Sequence, residues 1–229
     1  MNWNWLRYNL NSSRRAAAAE LLIIFLLSGA LFWISVLQNK PFFSLLSALT
    51  AWFFAGGFLY LRGKNWGFYG FRKPKKWKLV LLLAAGGTIG LHILIGFLLK
   101  PLVTLLTGRA VDLSAFEAVE GNALALIIGL GVVWTQAAFI EEMLFRGYLL
   151  NRISHLFSHR KTGLWAGIIL SSVFFGIGHQ YQGVSGMILT GAAGFYFAWI
   201  YLLSGKNLAA VILTHGLYDT SALLLIYLT

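Results

Sequence analysis

Six uncharged runs dominate the chain: Leu21 to Leu37, Pro41 to Leu61, Leu79 to Leu99, Ala123 to Ile140, Thr162 to Gly205 and Asn207 to Tyr218. A helix of about 20 apolar residues crosses the hydrocarbon of a bilayer. No water is available there, so the backbone must bond to itself, and in runs of this length it does so as a helix. The fifth run is about twice a span's length and must fold back near Gln180 to Gly183. The sixth is completed by Asp219 to Thr229. The expectation is an all-α polytopic membrane protein of about seven transmembrane helices. Composition agrees: 59% of residues are hydrophobic and only 11% charged, against about 25% charged in a soluble domain.

The net charge of +11 could suit a nucleic-acid partner, but the basic residues fall in loops between apolar runs rather than on one polar face, so none is expected. Counted by alternate loops, 15 Lys and Arg lie on one side (residues 1–16, 62–78, 146–162 and 206) and three on the other, Lys40, Lys100 and Arg109. This bias predicts a cytoplasmic N-terminus and an outside C-terminus. The first span, preceded by Arg14 and Arg15, lacks a small-residue cleavage site and reads as a retained anchor. The absence of cysteine excludes disulfides, thiolate metal sites and a Cys nucleophile. Within 62–78, Arg72, Lys73, Lys75, Lys76 and Lys78 alternate with Trp66, Phe68, Tyr69 and Trp77. That mixture suits anionic lipid at the interface, a solvated loop being the plainer account. From Tyr148 to Gly163 the pattern predicts a helix extension lying at the membrane surface.

The chain reads as a single membrane domain, 1–229, with three spans in 1–121 and a four-span core in 122–229 that holds every intramembrane acid. Glu141 and Glu142 end an otherwise apolar run, where each charge costs at least roughly 2.5–3.5 kcal/mol. Glu142 and Arg146 are four apart, the favoured spacing for a helical ion pair, whereas Glu141 is turned about 100° away, toward a cavity. His179 ends Phe175-Gly176-Ile177-Gly178-His179, flexible at its glycines, and His215 and Asp219 share a helix face. Bringing these groups together keeps them from lipid and makes a reactive cavity. Its structural alternative is a polar network that only locks helices. The chemistry is hydrolytic: a carboxylate and an imidazole take a proton from water attacking a carbonyl, and a second imidazole stabilises the oxyanion. Alternatively, Glu141, His179 and His215 ligate zinc. His92 reads as a packing histidine and Gln136 stays outside the site. One tension concerns depth: His215 lies about 12 Å from the cytoplasmic start of its span and His179 about 24 Å from Gly163, so the fifth span is expected to start well below the membrane surface.

Glu141-Glu142-Met143-Leu144-Phe145-Arg146, Phe175-Gly176-Ile177-Gly178-His179 and His215-Gly216-Leu217-Tyr218-Asp219 occur in that order. They resemble the Glu-Glu-x-x-x-Arg, Phe-x-x-x-His and His-x-x-x-Asn/Asp motifs of the CPBP (ABI) family of intramembrane proteases, which includes the eukaryotic type II CAAX prenyl endopeptidases. The resemblance covers about residues 122 to 219. It implies peptide-bond hydrolysis of a membrane-associated peptide or protein, with Glu141 and His179 activating water, Glu142 and Arg146 supporting them, and His215 with Asp219 at the oxyanion. The eukaryotic enzymes have Asn where this chain has Asp219. An ionised Asp cannot donate to an oxyanion, so Asp219 is protonated, orients His215 or helps bind a metal, and orientation is the expectation. Prokaryotic relatives in self-immunity and peptide maturation point to a prokaryotic plasma membrane. The rival class is non-enzymatic, a bacteriocin-immunity protein or a proton-coupled carrier, but the paired broken spans of transporters are not evident.

Overall fold

The computed structural model describes residues 3–38 and 41–229; Lys40, counted above on the outer side, lies outside them. A short helix, α1 (Trp3–Ser12), precedes seven helices long and apolar enough to cross a membrane. These are α2 (Arg14–Gln38), α3 (Ser44–Leu61), α4 (Trp77–Thr107), α5 (Ala123–His155), α6 (Arg160–Gly178), α7 (Gln180–Leu203) and α8 (Leu208–Tyr227). Among the described residues there is no strand.

Helix α5 runs well beyond the apolar stretch that ends at Ile140. Glu142 and Arg146 pair with each other, so the helix continues through them without exposing a lone charge. It winds as π-helix over Val133–Glu141 and again over Met143–Leu149, the wider i→i+5 turn that recurs at functional sites. The helix extension expected after Tyr148 is present as far as His155, and it is packed into the core rather than lying on a surface. It continues α5 and buries Leu150, Arg152 and Ile153. The basic count changes with it: Arg62, Arg146 and Arg152 are buried in ion pairs, which leaves 12 against three, the same bias.

Helices in lipid gain little from apolar contact alone and pack closely through small residues. Gly163 and Gly167 on α6 lie against the carbonyls of Ser154 and Leu150 on α5. A Cβ at Gly176 would stand 2.5 Å from the Met187 carbonyl oxygen and 3.1 Å from Gly191 Cα, so Gly176 is a contact between α6 and α7 rather than a point of flexibility. The N-terminal hairpin α2–α3 packs on the extension of α5, with Leu21, Ile24 and Leu59 against Tyr148, Leu149 and Ile153.

The α7–α8 turn meets α5 at Asn151, whose side chain bonds Tyr201 Oη at 3.2 Å and accepts from Lys206 Nζ at 3.0 Å. Asn151 is a turn short of the end of α5, so the α5–α6 hairpin projects beyond the α7–α8 turn. That offset, about 6 Å, runs in the direction the two depths require and covers about half of their difference. The first part of the 62–78 loop is docked on the same turn: Gly70 takes φ 107°, its carbonyl accepts from Leu208 N at 3.0 Å, and Asn207 Nδ2 donates to the Arg72 carbonyl at 2.9 Å. Lys73, Lys75, Lys76 and Lys78 remain exposed.

Candidate active site

Glu142 and Arg146, on successive turns of α5, are 0% and 1% exposed. Arg146 Nη1 donates to Glu142 Oε1 at 2.8 Å, and Nη2 donates to the Gly194 carbonyl on α7 at 3.0 Å. Gly194 allows that approach, because a Cβ there would stand 3.3 Å from Arg146 Nη2. The guanidinium also lies over Phe175 at 4.5 Å and Phe197 at 5.1 Å, contacts that suit a weakly hydrated cation. A charge at this depth is thus paired, bonded and faced by aromatic rings.

Glu142 Oε1 also meets His215 Nδ1, from α8, at 2.8 Å. Since Glu142 already accepts from Arg146, Nδ1 carries the proton of that bond. The other ring nitrogen, Nε2, lies 3.3 Å from Asp219 Oδ2. Phe197 stacks on the ring at 4.5 Å. His215 is therefore held at both nitrogens and on one face.

His179 sits just past the end of α6, and its Nδ1 lies 2.8 Å from the Phe175 carbonyl. A carbonyl only accepts, so Nδ1 carries the proton and Nε2 presents a lone pair. Phe175 joins the parts of the site: its ring lies 4.7 Å from His179 and 5.9 Å from His215.

Glu141 is the exception to this pairing. It lines a cavity of about 350 Å³ together with His179, Gln136, Tyr148 and Phe175, and α2 and α3 form the opposite wall. Its Oε2, like Oε2 of Glu142, has no hydrogen-bond partner among the described residues. The turn between Glu141 and Glu142 thus separates a cavity-facing carboxylate from a buried structural one, as the spacing to Arg146 implied. Gln136 was set aside on sequence and nonetheless lines the cavity; its place one turn before Glu141 was the available signal. His92 bonds Ser221 Oγ through Nε2 at 2.6 Å and lies against the Tyr218 ring, a packing role as expected.

The trio Glu141, His179 and His215 does not make a ligand set. Both nitrogens of His215 face carboxylates, and among the described residues no group of three or more His, Asp or Glu side chains is disposed to hold a metal ion.

The fold and site define a helical integral membrane protein whose titratable groups converge inside its apolar region. Residues 122–221 match the family model described as Type II CAAX prenyl endopeptidase Rce1-like. All three motifs fall inside that stretch, so the C-terminal core is similar to that family; α1 to α4 lie outside the match. No curated protein and no solved structure matches the chain significantly.

Proposed function

We propose that the protein is an endopeptidase that hydrolyses a peptide bond of a membrane-associated peptide or protein, with Glu141 as general base. The observation that carries this reading is the unequal placement of two adjacent acids: Oε1 of Glu142 is taken by Arg146 and His215, whereas Glu141 lines the cavity beside His179.

Glu141 and the lone pair of His179 Nε2 are both acceptors, so a water held between them gives each a hydrogen and turns its oxygen lone pair toward a substrate carbonyl. Glu141 takes the proton as the C–O bond forms and returns it to the leaving amine as the C–N bond breaks. The proton shared by His215 Nε2 and Asp219 provides a donor for the developing oxyanion. Glu142 and Arg146 act through His215 and are positioning residues. No step requires a metal. The exposed lysines of 73–78 hold the loop against anionic lipid, whose attraction is worth about 1 kcal/mol per basic residue.

The test is a library of membrane-proximal peptides offered to purified protein in lipid and read by mass spectrometry. Products from the parent, absent with Glu141→Gln in folded protein, support the reading. Cleavage retained in Glu141→Gln removes Glu141 as base, and no cleavage by either protein returns weight to a binding role such as immunity.

A further inference from the structure

A second buried charged cluster lies outside the site and ties the two halves of the chain together. Glu20 on α2 is 3% exposed. Its Oε2 accepts from Tyr148 Oη at 2.7 Å and lies 2.8 Å from Arg152 Nε, both on the extension of α5. Its Oε1 is 3.8 Å from Nε of Arg62, just past α3, and the Arg62 guanidinium donates to Tyr69 Oη at 3.3 Å. One acid from the N-terminal half is thereby shared by two guanidiniums and a phenol.

The cluster borders the cavity that holds Glu141. The Tyr148 ring and Leu21, the residue after Glu20, are part of the cavity wall. Farther along, α2 meets α6 through the Phe25 and Phe174 rings at 4.7 Å. Lipid chains solvate an apolar helix face as well as another helix does, so such a face sets no preferred separation. The hydrogen bond from Tyr148 to Glu20 and the buried ion pair with Arg152 do.

We infer that Glu20 is a positioning residue: through Arg152 and Tyr148 it sets the distance of α2 from the catalytic helices, and with it the size of peptide side chain that reaches Glu141. The selectivity part of this inference rests on the endopeptidase reading; the distance part does not.

The chain has no cysteine, so Gly29→Cys on α2 and Ile177→Cys on α6, both on the cavity, accept nitroxide labels selectively. Their separation is measured by pulsed electron resonance in lipid bilayers. Glu20→Gln and Arg152→Gln each lengthen and broaden the distribution, Glu20→Asp falls between, and the double variant moves no farther than either single, because one contact has been removed twice. In unlabelled protein the ratio of kcat/KM for bulky over small side chains at the cleaved bond rises by about threefold or more, with kcat for the small substrate unchanged. If Glu20→Gln does not fold, Glu20→Asp and the charge-balanced double variant carry the measurement. Unchanged distances in the folded variants overturn the inference. Distances that move in a protein that cleaves nothing leave the positioning role standing and count against the endopeptidase reading. Cleavage that depends on Glu141 but not in its selectivity on Glu20 does the reverse.

Discussion

The carboxylate of Glu142 meets a guanidinium and an imidazole from two helices within 2.8 Å. Removing one member leaves a buried charge unpaired, at a cost of about 3–5 kcal/mol. Arg146→Met should therefore destabilise the protein by that order, seen as earlier unfolding in a detergent denaturation series. The double variant Glu142→Gln/Arg146→Met should recover most of the stability, since both charges are gone, without recovering activity, because His215 has lost its anchor. Glu141→Gln should leave stability close to the parent's, since no bond to its Oε2 is lost. The pairing of Glu142 with Arg146 was legible from a spacing of four. Its bond to His215 was not, because 73 residues separate them and only the packing of α5 against α8 joins them. Glu20 escaped notice for the same reason. Its partners Tyr148 and Arg152 are more than a hundred residues away.

At the scale of helices, Gly176 and Gly178 looked alike in sequence and have different duties. At Gly176 a Cβ meets backbone of α7, whereas at Gly178 nothing lies within 4 Å. Gly176→Ala should cost about 1–3 kcal/mol through forced separation of α6 and α7. Gly178→Ala should be neutral or slightly stabilising, because alanine loses less backbone freedom on folding. Thermal unfolding of the two purified variants compares them directly. The number and order of spans were legible because the apolar runs have bilayer length. The continuation of α5 past Ile140 was legible from the spacing of Glu142 and Arg146; the burial of its last turns was not, because the partner of Arg152 lies on a distant helix. Nor was its π winding visible, since i→i+5 bonding is imposed by neighbours rather than by side-chain pattern.

For the molecule as a whole, the surviving basic excess of 12 to three predicts a C-terminus outside the cytoplasm. A C-terminal reporter active only outside should be active, and the same reporter inserted in the exposed 73–78 stretch should be silent. If water is activated by Glu141 and His179 alone, prolonged chelation should leave cleavage within about twofold of the untreated enzyme, whereas a bound catalytic metal would lose its activity to the chelator.

Hydropathy determined the all-helical membrane architecture, and three motifs marked which residue types gather at the candidate site; both are local, the first set by the energy of apolar helix in lipid and the second by the order of groups along the chain. Tertiary structure alone decided that His215 also holds Glu142, what stands opposite Glu141, and how the N-terminal spans reach the core. Those outcomes depend on polar contacts between helices distant in sequence, formed because each buried charge must find a partner wherever the fold provides one.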